Sequence, residues 1–357
     1  MTDHIATDVL VVGLGPAGSQ AAAVAARTGC SVIAIDRKKQ AGTPVQCAEF
    51  IPAMLSQELN DLDDVTQQRI SSMATFIETE NADIKHDFPG RIIDRCAFDA
   101  ALVKAAEKAG ADCQFGVQLE KIIPKNKAVL SDGKTIKAKV IIGADGPRSR
   151  VGRTIGQFNL ELVETRQITV PLLMPHDATD IFLSASIPGG YGWLFPKNDI
   201  ANLGIGAAPW AKKNLKPLLE KLHDELVGDG RVSTKIIAHT GGAIPVGGML
   251  TVFSWFCETP VLLAGDAAGL TNPVTGAGIT SAVVSGDLAG QAAADWLHGN
   301  ETAFKDYTEE LRDLFGTALD RALRRRNEIL EQYVGEKNPS PAALRRSWIA
   351  YPEYWAA

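Results

Sequence analysis

Short apolar runs separated by glycine dominate the first forty positions. Residues 9–12 are all aliphatic, bounded by polar positions and a glycine, and too short for a helix, so they read as a buried strand. Residues 15–28 are alanine-rich and read as a closely packing helix, and 31–35 as a second buried strand. Asp94 stands where an N-cap would open a helix through 96–109. Asp132-Gly133 is a hairpin signal between 128–130 and 135–136, and 140–142 is another buried strand. From about 161 to 257, strand-like pieces (168–173, 181–187, 191–195, 201–205) alternate with Pro and Gly turns, as in an antiparallel sheet. The buried-strand pattern returns at 261–264, followed by an alanine-rich helical stretch over 276–297. Residues 302–334 are polar and helical, and an aromatic tail closes the chain with Trp348, Tyr351, Tyr354 and Trp355.

Composition narrows the function. Of 357 residues, 45% are hydrophobic and the net charge is −6, which disfavours nucleic acid as a partner. The basic run Arg324-Arg325-Arg326 reads as a solvated helix face. The five cysteines are odd in number and lack CxxC or zinc-ligand spacing, which implies reduced thiols and a cytoplasmic protein. The six histidines show no ligand spacing, so no metal is expected. The N-terminus lacks a basic leader, and no apolar run is long enough to span a membrane. A lipid substrate would have to be met at a membrane surface or on a carrier.

Chemistry enters with Gly13, Gly15 and Gly18 in G-x-G-x-x-G spacing, with Pro16 and Ala17 inside the turn. The first glycine permits the tight turn, the second lets backbone approach a pyrophosphate, and the third lets helix and strand pack. Asp36 ends the second strand and suits adenosine ribose hydroxyls, and Arg37 beside it could reach a phosphate. Asp145-Gly146 and Gly265-Asp266 each follow a buried strand. Asp266 suits ribityl hydroxyls, Pro273 shapes the following loop, and Gly276, Ala277, Gly278 and Ile279 open a helix whose N–H groups can stabilise a reduced flavin. The set points to FAD rather than NAD. The expected fold is α/β (α+β). It comprises a discontinuous Rossmann-like FAD domain over 1–160 and 258–300, an antiparallel-sheet substrate domain over 161–257, and a helical segment over 301–357.

Three further segments carry a resemblance. PVQCAEFIP (Cys47, with Ala48 where the family has glycine), the helix start with Arg95, Phe98 and Asp99, and the strand with Tyr191, Trp193, Phe195, Pro196 and Lys197 resemble the geranylgeranyl reductase family. That family lies within the flavoproteins shaped like para-hydroxybenzoate hydroxylase. The resemblance spans roughly residues 8–300. It implies that Arg95 contacts the FAD phosphate or ribityl region, with Cys47 and Ala48 beside the cofactor. It also implies that the 191–196 strand lines the substrate cavity, where Tyr191 and Trp193 share a face. The implied activity is hydride transfer from reduced FAD to a C=C bond of a prenyl chain, with Cys47 the candidate proton donor and Tyr191 and Trp193 facing developing positive charge. An aromatic monooxygenase and a flavoprotein electron carrier are the alternatives. The sequence leaves the electron source open among NAD(P)H, a reduced ferredoxin-like protein and a quinol. The aromatic tail either touches a membrane or, as is commoner, folds back on its own domain or forms an oligomer contact.

Overall fold

The computed structural model describes residues 4–56, 62–334 and 338–356. It is a mixed α/β fold built on two eight-stranded sheets and a small three-stranded one. The first sheet runs in the order Phe253–Phe256, Thr259–Leu263, Thr135–Gly143, His4–Val12, Val32–Asp36, Asp112–Phe115. Its inner strands pair in parallel, and their aliphatic residues are buried on both faces, which explains the continuous apolar runs. Thr259–Leu263 joins from far along the chain, pairing Val261 with Ile141. The Asp132-Gly133 turn closes the hairpin of Lys127–Leu130 with Thr135–Gly143.

Small residues set the helix packing. Helix Ile279–Leu297 lies against helix Pro16–Arg27 so closely that a Cβ on Gly286 would stand 2.1 Å from the Ala17 carbonyl oxygen. Helix Arg95–Ala109 opens as its cap dictates, with the Ala97 N–H donating to the Asp94 carboxylate at 3.0 Å. The helix read from 276 begins at Ile279, because Gly276 takes φ +70°.

The second sheet runs Ala238–Thr240, Leu162–Pro171, Ile200–Ala207, Tyr191–Lys197, Ala178–Leu183, Ser72–Ile77, Asp83–Lys85, with Ala243–Pro245 also on Leu162–Pro171. It is antiparallel except where Ala178–Leu183 meets Ser72–Ile77 in parallel. Residues 72–85 fall within the first expected segment yet pair here, and Phe253–Phe256 falls within the second yet pairs with the first sheet. Helix Leu215–Gly228 buries its apolar face on this sheet. The small sheet, Phe50–Pro52, Gly90–Ile93 and Thr66–Ile70, packs against strand Tyr191–Lys197 of the second.

The basic run requires a correction. Arg324 is exposed as expected, but Arg325 and Arg326 are only 1% and 4% exposed. Arg325 donates to the carbonyls of Tyr354 and Ala356 and pairs with Glu328, and Arg326 donates to the Gly189 carbonyl. Helix Thr317–Glu331 turns these two side chains toward the chain terminus and the second sheet, where carbonyl oxygens replace water. The aromatic tail folds back: Trp348 and Tyr354 are buried, and only Trp355 among its four aromatics is largely exposed. No helix among the described residues is long and apolar enough to cross a membrane.

Asp8 ties the start of the first sheet together by accepting from Lys139 and from the Ser31 hydroxyl and N–H, which lowers its pKa to about 2. Because the folded value is depressed, its stabilisation is present above pH 4 and lost as pH falls toward 2. Asp8→Asn should therefore lower stability by about 1 kcal/mol at neutral pH after solvent screening. Denaturant melts should show that gap closing between about pH 4 and pH 2.

Candidate active site

The glycine turn forms because nothing larger fits. Gly13 has φ +101°, and a Cβ there would lie 2.2 Å from the Ala144 carbonyl oxygen. A Cβ on Gly18 would lie 1.8 Å from the Gly13 carbonyl oxygen, whereas one on Gly15 would meet nothing within 4 Å. The turn is thus packed behind and open in front. Helix Pro16–Arg27 starts at that opening with no side-chain cap, so its first N–H groups point at open space, as an anion cradle requires. The Asp36 carboxylate accepts from the N–H groups of Leu14 (2.8 Å) and Lys38 (2.7 Å), which fixes it beside the turn, while Arg37 is exposed.

The distant Gly-Asp segment meets this cradle. A Cβ on Gly265 would touch that of Ala17 at 3.0 Å. Asp266 accepts from Thr271 Oγ1 at 2.6 Å. It is partly buried. Burial pushes its carboxyl upward, against the bond from Thr271 and the charge of Arg95. A carboxylate so placed has acceptor capacity left for hydroxyl groups. Pro273 lies in a turn whose amides are already used: Gly276 N–H donates to Asn272 O and Ala277 N–H to Thr275 Oγ1. The uncapped helix start therefore presents Gly278 and Ile279 rather than Gly276 and Ala277. Asp145 likewise spends its carboxylate on Ser149 Oγ and the N–H groups of Arg150 and Val151, capping a short helix, while a Cβ on Gly146 (φ +82°) would meet only open space. Asn159 joins the two segments by donating to Pro147 O at 3.1 Å and Asp266 O at 2.8 Å.

The Cys47 loop is stapled to the second sheet. Thr240 Oγ1 donates to Val45 O at 2.6 Å, Gln46 Nε2 to Gly241 O at 2.8 Å, and Gln167 Nε2 to Cys47 O at 3.2 Å. Glu49, at φ +70°, is buried, and its carboxylate receives Lys197 Nζ at 2.9 and 3.0 Å, Asn202 Nδ2 at 3.0 Å and the Arg95 N–H at 3.1 Å. Ala48 keeps an ordinary φ, so the loop does not need a glycine there. Cys47 Sγ accepts from the Glu49 N–H at 3.2 Å.

Around that sulfur stand Arg95 and Tyr191. Arg95 grips Asp99 with two bonds of 3.0 and 3.1 Å. Burial opposes its charge, but Cys47 and Asp99 more than offset this and hold its pKa above the ordinary value. Burial, and then Cys47, push the Tyr191 hydroxyl upward, and it donates to Thr275 O at 2.5 Å. The Tyr191 and Trp193 rings meet edge to face at 5.7 Å, so the two do share a face. Trp193 is buried and donates its indole N–H to Gln167 at 3.0 Å. Ala48, Phe50, Tyr191 and Val274 keep partial exposure over an apolar cluster with Phe195 and Trp348. Trp348, from the tail, lies 4.8 Å from Tyr191, and its own indole N–H has no partner among the described residues.

Sequence reasoning gave no role to Glu49, Lys197, Gln167, Asn202, Asn159 or Trp348. Glu49 and Lys197 lie inside quoted motifs, but 148 positions separate them.

An open glycine cradle, a carboxylate set against its helix start and an apolar cluster beside a thiol are the arrangement of a flavin-dependent oxidoreductase. The family described as FAD binding domain matches residues 66–322. Digeranylgeranylglycerophospholipid reductase of Methanocella arvoryzae is 34% identical over 338 residues, covering 88% of this chain and 85% of that protein. Digeranylgeranylglycerophospholipid reductase 2 of Methanopyrus kandleri is 32% identical, covering 96% and 91%. A geranylgeranyl bacteriochlorophyll reductase-like structure from Thermoplasma acidophilum superposes with TM-score 0.83 at 26% identity, covering 99% and 98%. P. aeruginosa PqsL, in complex with 2-aminobenzoylacetate, shares the fold at TM-score 0.70 and 16% identity, covering 94% and 98%. The chain belongs to the geranylgeranyl reductase family of FAD-dependent oxidoreductases.

Gly18→Ala has no space for its methyl group. The purified variant should carry less than about a tenth of the wild-type flavin per polypeptide, read from its visible absorbance. Lys197→Met leaves Glu49 buried without its counter-charge and should cost about 3–5 kcal/mol in a denaturant melt. Adding Glu49→Gln should recover much of that loss, which a pair of independent packing defects would not do.

Proposed function

We propose that the protein reduces C=C bonds in geranylgeranyl-type prenyl chains carried on a glycerophospholipid. The observation that carries this reading is the meeting of Cys47, Arg95 and Tyr191 beside an apolar cluster that includes Phe50, Val274 and Trp348. The named relatives point the same way.

The residues fit FAD. In this reading the glycine turn would hold the pyrophosphate, Asp36 the adenosine ribose, and Asp266 with Arg95 the ribityl side, and the helix start at Gly278 and Ile279 would offer its N–H groups to the flavin. When bound and reduced, FAD supplies the hydride. The rest of the chemistry falls to side chains. The aliphatic and aromatic walls hold a hydrocarbon chain and keep water away from positive charge building on it. Tyr191 offers an aromatic face to that charge, while its hydroxyl stays tied to Thr275. Cys47 Sγ gives the proton, and the guanidinium of Arg95 stabilises the thiolate left behind. The Glu49–Lys197 pair and Gln167 hold the sulfur in place through the loop backbone.

The chain has one glycine fingerprint, which FAD takes, so the reductant docks transiently. NAD(P)H and a reduced ferredoxin-like protein are the two donors to compare by rate of flavin reduction. The test of the reaction is anaerobic single turnover. Pre-reduced enzyme mixed with a prenyl phospholipid should reoxidise, and each reduced double bond should gain two hydrogens by mass spectrometry. Cys47→Ser should slow this step by about 10²–10⁴-fold with flavin content unchanged. If oxygen is required and a hydroxylated product forms, the monooxygenase reading replaces this one.

A further inference from the structure

We propose that Trp348 is a positioning residue for the active site: the C-terminal segment holds it against Tyr191, and through Tyr191 it fixes the turn that leads into Gly278 and Ile279. This rests on the reading of that helix start as flavin-facing and does not depend on the substrate. The strand offers the Tyr191 ring little support of its own. Tyr191 opens strand Tyr191–Lys197 directly after Gly189 and Gly190, and its cross-strand partner is Gly206, which has no side chain to brace it. The rings against it are Trp193 at 5.7 Å and Trp348 at 4.8 Å, centroid to centroid.

The C-terminal segment is tied down on both sides of Trp348. Arg345 pairs with Glu80 at 2.5 Å, Tyr351 donates to Asp83 at 2.7 Å, and Arg346 pairs with Glu328 at 3.1 Å. Trp348 itself is buried, and its indole N–H has no partner among the described residues. Contact of the ring, not a hydrogen bond, is therefore what it contributes to Tyr191. On the other side, the Tyr191 hydroxyl donates to Thr275 O at 2.5 Å. The turn around Thr275 bonds largely to itself: Asn272 Oδ1 accepts from the N–H groups of Val274 and Thr275 at 3.0 Å, and the Asn272 N–H donates to Ala277 O at 2.9 Å. Among the described residues, the Tyr191 bond is the one hydrogen bond that joins residues 272–278 to the second sheet. A shift of the ring therefore passes to the turn, and the turn runs directly into Gly278 and the uncapped start of helix Ile279–Leu297. N–H groups there stabilise negative charge only while they are held in place.

The experiment uses the full-length, FAD-loaded protein and four variants. Trp348→Leu keeps an apolar side chain but removes the ring, Trp348→Phe keeps a ring, Tyr191→Phe removes the bond to Thr275, and the fourth combines Trp348→Leu with Tyr191→Phe. Amide hydrogen exchange of residues 272–279 is read by mass spectrometry against residues 9–12 of the first sheet, and the flavin midpoint potential by anaerobic dye equilibration. Trp348→Leu should speed exchange of the turn about five- to tenfold with residues 9–12 unchanged. It should also lower the potential, so that the reduced-to-oxidised ratio at a fixed potential falls about threefold. Tyr191→Phe should do the same, the combined variant should do no more than either alone, and Trp348→Phe should stay near wild type. Should Trp348→Leu fail to fold, Arg345→Ala with Tyr351→Phe loosens the segment while keeping the ring, and should give the same two changes at smaller size. Unchanged exchange of the turn, effects that multiply in the combined variant, or a Trp348→Phe as impaired as Trp348→Leu would overturn the proposal. Faster exchange with an unchanged potential upholds the positioning and sinks the flavin-facing reading of the helix start. Neither readout uses a lipid, so failure to reduce prenyl chains sinks the substrate reading alone.

Discussion

Glu49 places a negative charge in the interior, and three parts of the chain neutralise it together. Lys197 and Asn202 come from the second sheet, and the Arg95 N–H comes from the start of a helix that packs under the first. A buried carboxylate cannot stay ionised without such partners, so their positions are coupled through it. Cys47 sits two residues before Glu49, Arg95 carries its guanidinium from that helix start, and Tyr191 lies on the strand that ends in Lys197. Cys47, Arg95 and Tyr191 are thus referenced to one charge. The helix N-terminus adds its own favourable field there.

The glycine cradle depends on a different constraint, which is contact distance. Gly13, Gly18 and Gly286 are each fixed by backbone that a methyl group would strike. This brings the strand ends at Val12, Gly143 and Leu263 side by side, and the Gly-Asp segment arrives against the helix start as a consequence. The cofactor site is therefore a property of the sheet order more than of any single loop.

Local chemistry was readable in the chain. The cradle glycines, the Asp94 cap and the Asp132-Gly133 hairpin each depend on neighbours within a few positions, and short-range pattern reports such features directly. Pairings between remote segments leave no such mark. Nothing in residues 72–77 indicates a parallel partner at 178–183, because an aliphatic strand suits either sheet. Arg325 and Arg326 read as solvated because charge usually is; their true acceptors are carbonyls at the chain terminus and at Gly189. Gly276 and Ala277 looked like free donors in sequence, since only the folded turn shows that Asn272 and Thr275 consume them. The substitution at Ala48 was visible, but its harmlessness was not: the left-handed residue of the loop is Glu49, one position on.

The C-terminal segment packs onto the apolar cluster around Tyr191. Arg325 binds the last carbonyls, Arg346 pairs with Glu328, and Arg345 reaches Glu80, so several polar contacts press this segment onto the body. The pressure lands on Trp348, whose ring meets Tyr191 and whose indole N–H is packed too tightly for solvent to reach. An unmet N–H of that kind costs about 1–3 kcal/mol, and only the burial of a large aromatic surface offsets it. A glutamine or histidine there could find a partner, but it would bring a polar group into an apolar cluster. Holding a donor unsatisfied is the consequence of packing the largest side chain available against Tyr191 in an apolar cluster.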